Sequence, residues 1–225
     1  MDKIIVTSAE NPDLDGLACS YAYAEFLQKK GLDAKCVIFG KPFYEAKAIA
    51  KKTKVRIPKP KNFTGKEKFV LTDTSIVSRL HKSVKIENVV EVIDHRKFNN
   101  SSAFTNAKLQ IELVGAAATL IAEKFMKERI TISTESRTLL FYAILSNTIN
   151  FKNKVTTERD IEAAKWLQKG MRLRKNYLKE FMKIKSRVGN LSGTIKDYIG
   201  VFDFSGNKIC ISQLEITGTK KFVAL

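Results

Sequence analysis

Five short apolar runs within the first 115 residues constrain the fold of this chain more than any other feature, because most of them have no polar position in alternation. Residues 3–7, 34–39, 69–73, 89–93 and 108–113 are rich in Val and Ile and too short for helices, so they read as strands. A strand with no solvent face is buried on both sides, which calls for a largely parallel sheet covered by helices. The segments between supply those helices, at 16–30 and 44–52, while Pro58 and Pro60 among lysines mark 53–68 as a loop. From Gly115 the periodicity turns helical, over 116–128, 134–146, 157–170 and 172–191. Thr157, with Glu158 and Asp160 after it, has the capping side chain and early negative charge of a helix start. The last helix carries Leu173, Tyr177, Phe181, Ile184, Val188 and Leu191 as one apolar stripe among basic residues, a packing seam.

The predicted fold class is therefore α/β, a mostly parallel sheet with helices on both faces, followed by helices and a short C-terminal β-hairpin. That hairpin pairs 198–204 with 208–213 around Ser205-Gly206-Asn207. Alone, two strands cannot bury their own faces. We accordingly expect a domain over 1–189, linker helix included, and a partial second domain over 190–225, an arrangement that leaves a homo-oligomer open.

Composition narrows the function classes. The chain is 44% hydrophobic and 28% charged, which excludes disordered, collagenous and coiled-coil readings. No apolar stretch is long enough to span a membrane and Met1-Asp2-Lys3 runs straight into a strand, so a cytoplasmic chain is expected. Cys19, Cys36 and Cys210 form no paired motif and sit among apolar neighbours, as reduced core residues do. The net charge of +17 is concentrated: 41–68 holds ten basic and two acidic side chains, and 165–187 holds nine and one. Such windows attract phosphates, nucleotides or nucleic acid, or serve only as a solvated face.

Polar residues gather where the predicted strands end. Asn11-Pro12-Asp13-Leu14-Asp15-Gly16 follows the first, Asp73-Thr74-Ser75 ends the third and Asp94-His95-Arg96 ends the fourth. In an open parallel sheet these ends share one crevice. Carboxylates converging there from three strands repel one another unless a cation neutralises them, and Asp with His suits manganese, iron, zinc or magnesium acting on a phosphoryl group. Taken singly, Asp13 and Asp15 read as turn formers or caps of the first helix. Dinucleotide, phosphate-loop and serine-nucleophile motifs are absent. His81 reads as a surface residue at a helix end, which leaves no histidine-based triad.

These residues resemble the DHH phosphoesterases, and within them the manganese-dependent (family II) inorganic pyrophosphatases. Matching segments are Asn11-Pro12-Asp13-x-Asp15, Gly40-x-Pro42, Asp73-Thr74, Asp94-His95, Glu112-Leu113-Val114-Gly115-Ala116-x-x-Thr119, Ile144-Leu145-Ser146-x-Thr148-x-Asn150-Phe151 and Thr156-Thr157-Glu158-Arg159-Asp160. The last hairpin, from Phe202-Asp203-Phe204 to Ser212-Gln213-Leu214-Glu215, resembles the opening of that family's second domain.

The resemblance implies a metal site on Asp13, Asp15, Asp73, which bridges, and His95, with Asn147 where a further Asp is expected. It also implies one or two Mn2+ ions, or Mg2+ or Co2+ in their place. Ala9 stands where an upstream His is expected, and Arg96 replaces the second His of Asp-His-His. Asp73, His95 and Arg96 are then the catalytic residues, and Asn11 and Arg96 bind substrate. The implied activity is a metal-dependent, pyrophosphatase-like phosphohydrolase acting on a phosphate-bearing small molecule. The alternatives are a short-oligonucleotide phosphodiesterase of the same family and a degenerate module that binds phosphate or nucleic acid without turnover.

Overall fold

The computed structural model describes residues 3–60, 63–97, 99–187 and 199–212. It divides into two units, Met1–Arg172 and Leu173–Leu225. In the first, β1 (Ile4–Thr7), β2 (Ala34–Cys36), β3 (Lys68–Thr72), β4 (Val89–Asp94) and β5 (Lys108–Ile111) form one sheet in the order β2-β1-β3-β4-β5. Every neighbouring pair is parallel. The helices of this unit are α1 (Leu14–Lys29), α2 (Tyr44–Lys52), α3 (Ala117–Glu128), α4 (Thr134–Asn147) and α5 (Glu158–Lys169). The expected α/β class with its parallel sheet is what the chain adopts, but the helices that pack on the sheet, α1 and α3, share one face instead of covering both, because the described connections from β3 to β4 and from β4 to β5 form only short 3-10 turns.

Strand alternation divides the core in two. Ile5, Phe69, Leu71 and Val92 face a cluster closed by Val37, Phe39, Val84, Val89 and Phe104, with Val77, Leu80 and Ile86 packed on its edge. Single turns of 3-10 helix, Val77–Arg79, Ile86–Asn88 and Ser101–Ala103, cover that face. On the opposite face Thr72 meets Ser20 of α1, hydroxyl to hydroxyl at 2.9 Å. There α1 lies along β1, β2 and β3, α3 lies on β4, α4 packs on α1 and α3, and α5 packs on α3 and α4.

The edges depart from the sequence reading. Burial on both faces fails at β5, where Leu109 is exposed, because an edge strand lacks a neighbour and its helical cover ends with the sheet. β2 ends at Cys36, after which the Ile38 amide turns to the Pro58 carbonyl at 3.0 Å. His81 is half-buried beyond a 3-10 turn, its ring stacked on Phe39 at 4.3 Å with 8° between planes.

Helix starts follow local chemistry. Asp13 caps α1, its Oδ1 accepting from the Gly16 amide at 3.0 Å. Thr157 and Asp160 form the reciprocal capping box of α5. Between α4 and α5 the chain reverses through three consecutive left-handed residues, Ile149, Asn150 and Phe151, with φ of 49°, 52° and 65°. Each costs about 1–2 kcal/mol, and the turn is held by Asn150 N–H to Leu145 O at 2.8 Å and by two bonds to Thr148.

The Asp160 carboxylate is fully buried and does more than cap. It accepts from the Gly115 amide at 2.9 Å, the Thr119 hydroxyl at 2.6 Å, and the Thr157 amide and hydroxyl, both at 2.7 Å. Residue 115 has to be glycine, since a Cβ there would lie 2.6 Å from Thr148 Cγ2 and 2.9 Å from Asp160 Oδ2.

In the second unit α6 spans Tyr177–Lys185, shorter than the expected 172–191, and residues 188–191 lie outside the described residues. Arg172, Arg174 and Lys175 would put three cations at the positive end of a longer helix, whereas Glu180 suits the first turn of the one that forms. A hairpin of β6 (Ile199–Phe204) and β7 (Asn207–Ser212) turns on Ser205 and Gly206, with φ of 53° and 83°. Its expected ends at Tyr198 and Gln213, and the segment 213–225, lie outside the described residues. Cys210 on β7 is exposed, unlike the core position expected of it. Among the described residues no helix is long and apolar enough to cross a membrane.

Two carboxylates, the buried Asp160 and the half-buried Glu25, generate predictions. Asp160→Ala leaves four donors without their acceptor and should lower the free energy of unfolding in urea by about 3–5 kcal/mol. Glu25 on α1 accepts from the Ser133 amide and from the Ser133 and Ser136 hydroxyls, and pairs with Lys29 at 2.9 Å. Burial opposes its ionisation, but these donors outweigh it and lower its pKa from 4.5. A depressed folded pKa stabilises above the unfolded value and is lost as pH falls. Glu25→Gln should therefore be less stable than the parent at neutral pH, and the two unfolding curves should converge below pH 4.5.

Candidate metal centre

In the strand order 2-1-3-4-5, the connections leaving β1 and β3 diverge to opposite sides, which opens a crevice at the carboxyl end of the sheet between them. The loop after β1 and the first turn of α1 deliver Asp13 and Asp15 to it, Asp73 follows directly on β3, and Asp94 ends β4 with His95 and Arg96 just beyond it. Asp73 sits in the left-handed region at φ 55°, a conformation Asp tolerates better than most residues, while its amide still bonds to Ile93 O at 2.8 Å.

Asp15, Asp73 and His95 converge, their donor atoms all within 4.8 Å of one another. His95 Nε2 lies 3.4 Å from Asp73 Oδ1 and 3.8 Å from Asp15 Oδ2. The other ring nitrogen, Nδ1, is 2.9 Å from the Val114 carbonyl oxygen, to which it donates. That bond fixes the tautomer and presents Nε2 to the carboxylates, as in histidines that ligate metals. Donors about 2.1 Å from a shared ion stand about 3–4.2 Å apart, and both distances from His95 Nε2 fall in that range.

Asp15 is completely buried and held from four directions. At the start of α3, the Ala117 and Ala118 amides donate to its two oxygens at 2.8 and 2.9 Å, the Cys19 thiol lies 3.3 Å away, and the Asn147 amide nitrogen donates at 2.7 Å. Asn147, expected as a metal ligand, thus turns its N–H toward the site, because a carboxylate neighbour selects the donor end of an amide. Asn11, expected to bind substrate, is used by the scaffold: its Oδ1 accepts from the Lys41 amide at 2.6 Å, where Gly40 (φ 72°) leaves room for it.

Asp94, which the sequence places among the acids at the strand ends, organises the fourth corner. Fully buried, it accepts from Ser75 Oγ, from the His95 amide at 2.8 Å and from Arg96 Nη1 at 2.8 Å. Arg96 Nη1 also bonds to the Asp73 carbonyl oxygen and lies 3.0 Å from Asp73 Oδ1. With its N–H groups directed at the other two oxygens, Asp73 Oδ1 remains buried without a hydrogen bond.

Charge is crowded here. Burial, then repulsion by Asp73, push the Asp15 carboxyl up to about 7, and the same two causes raise Asp13. Asp73 is itself held low: burial opposes ionisation, but Arg96 and His95 overcome it. Burial also works against a charged His95, yet its contacts with Asp73 and Asp15 push it up to about 9. Neighbouring carboxylates contribute to raising Asp13, Asp15 and His95, whereas Asp73 is lowered because the cations Arg96 and His95 stand beside it.

The family model for the N-terminal domain of the DHH family matches residues 3–144. The chain belongs to the DHH family. Over 225 residues it is 28% identical to a manganese-dependent inorganic pyrophosphatase of Methanothrix thermoacetophila, covering 96% of this chain and 70% of that one. Over 169 residues it is 29% identical to a probable manganese-dependent inorganic pyrophosphatase of Bacillus licheniformis, covering 74% of this chain. It spans 55% of that relative's length. A crystal structure of a Methanococcus jannaschii protein assigned to the family II inorganic pyrophosphatases superposes with a TM-score of 0.83 at 27% identity, covering 98% of this chain and 74% of that one. An exopolyphosphatase-related protein from Bacteroides fragilis shares the fold, with a TM-score of 0.63 at 15% identity.

The Asn147 contact makes a prediction. Asn147→Asp replaces a donor to Asp15 with a like charge, so the metal-free protein should lose about 2 kcal/mol, a fall of about 4–8 °C in Tm. Added Mn2+ should close most of that gap in a thermal scan, and should raise the variant's Tm by more than the parent's.

Proposed function

We propose that the crevice holds a divalent ion, manganese by preference, and that the chain is a phosphohydrolase acting on a phosphoanhydride, with pyrophosphate the first substrate to test. One observation carries the reading: Asp15, Asp73 and His95 arrive from three separate elements with their donor atoms converging, and one buried oxygen among them, Asp73 Oδ1, takes no hydrogen bond. Manganese-dependent pyrophosphatases among the relatives support it.

Asp15, Asp73 and His95 would hold the ion, with Asp13 beside them at the start of α1. When bound, such an ion supplies Lewis acidity toward a phosphoryl oxygen and acidifies a water. Within the chain, Val114 O keeps His95 oriented, Asn147 and the first amides of α3 keep Asp15 in place, and Arg96 offers its remaining N–H groups to a phosphate oxygen. Asp73 is the group whose loss should matter most, since it faces His95 and Arg96 at once.

A second reading, a short oligonucleotide as substrate, is favoured by a different observation. The basic segment beginning at Lys41 is tied to the crevice rim through Asn11, and Lys41, Lys47, Lys51, Lys52, Lys54 and Arg56 are all exposed. The two readings separate on substrate length.

Purified protein should release phosphate from pyrophosphate, or nucleotide from a short oligonucleotide, only when Mn2+ is added. Asp73→Asn should abolish that stimulation and weaken Mn2+ binding by more than 100-fold, beyond the 10–100-fold typical of residues that only support a ligand. Unchanged Mn2+ affinity in a folded Asp73→Asn protein would remove the proposed site. Salt-sensitive oligonucleotide binding without turnover on either substrate would make the chain a binder.

A further inference from the structure

We infer that the crevice is built for a single divalent ion, with the Arg96 guanidinium occupying the place of a second cation. This rests on the preceding reading that a divalent ion binds here at all, and goes beyond it in assigning the count and the reason for it.

Arg96 Nη1 is surrounded as a bound cation would be. Three oxygens face it: the Asp73 carbonyl, Asp94 Oδ1 at 2.8 Å and Asp73 Oδ1 at 3.0 Å. All belong to buried residues, and Asp94 is further fixed by Ser75 and by the His95 amide. The guanidinium is therefore held by a main-chain carbonyl just past β3 and by a side-chain carboxylate at the end of β4.

The place where one ion fits lies among Asp73 Oδ1, His95 Nε2 and Asp15, and Arg96 approaches the same Asp73 oxygen. Paired metals bridged by a carboxylate stand about 3.5–4 Å apart. A second ion sharing Asp73 Oδ1 at that spacing would stand against the fixed positive charge of Arg96, whose Nη1 lies 3.0 Å from that oxygen and already takes the Asp73 carbonyl and Asp94 Oδ1. Arg96 cannot yield by losing its proton, since an arginine in a protein stays charged.

Charge points the same way. Asp13, Asp15, Asp73 and Asp94 bring four carboxylates to the crevice. With Arg96 in place, one divalent ion leaves them a single charge short of neutrality, whereas two would over-neutralise them before substrate arrives. Arg96 also serves the single ion directly, because a ligating carboxylate is oriented by the group that pairs with it. The guanidinium is planar and permanently charged, so it offers a phosphate fixed donors where a second metal would offer exchangeable sites.

The test is the Mn2+ stoichiometry of the whole chain, by calorimetry and by electron paramagnetic resonance at saturation. The parent should bind one ion per chain and show the spectrum of an isolated Mn2+. Arg96→Gln frees the three oxygens, so it should be less stable than the parent in chelator and should bind two ions whose spectra broaden through mutual coupling. Arg96→Lys, which keeps the charge, should still bind one. Two coupled ions in the parent would overturn the inference while leaving the hydrolase reading intact, and because that measurement needs no variant it decides the matter even if Arg96→Gln fails to fold. A folded Arg96→Gln protein that binds only one ion would also overturn it. No Mn2+ bound by the parent would end both readings together.

Discussion

The grip of the Asp160 carboxylate on the turn that opens α3 is the interaction on which the crevice depends. Asp160 touches none of the residues that face the ion's place, and it reaches them through the chain it holds. The segment it fixes carries the Val114 carbonyl that orients His95 and the Ala117 and Ala118 amides that seat Asp15. Two of the three converging groups are thus positioned by five consecutive residues, and those by one buried charge. A buried carboxylate is costly unless its lone pairs are used, and here four donors use them.

The sheet supplies what that turn cannot. Strand order puts β1 and β3 side by side where the connections diverge, so Asp13, Asp15 and Asp73 meet without any long loop. The left-handed backbone at Asp73 then turns its side chain into the crevice while its amide stays in the sheet. Negative charge accumulates as a consequence of topology, and the cation that answers it from within the chain is Arg96, two residues past the end of β4.

Much of this was legible in the residues. Continuous apolar runs gave the parallel sheet, and the acids at their ends gave the crevice, because both depend on local pattern. What eluded the sequence depends on direction. That Asn147 offers nitrogen instead of oxygen follows from Asp15 standing 2.7 Å away, a contact across 132 residues. Asp94 was legible as an acid of the crevice and Asp160 as part of a helix start, but their reach to Arg96 and to Gly115 exists only after folding. The edges misled for a simpler reason: an apolar run such as that of β5 does not disclose which strand has no neighbour, and a basic stripe does not disclose where like charges at its start shorten a helix.

The way Asp15 is seated has a consequence for how such a crevice can change. Two of its donors are main-chain amides, and no replacement at Ala117 or Ala118 except proline removes them. The side chains around the ion's place are therefore free to drift while the framework that gathers them keeps its shape. In such a crevice the seat of one carboxylate is written into the main chain, so the position of Asp15 is insulated from side-chain replacement at the residues that donate to it.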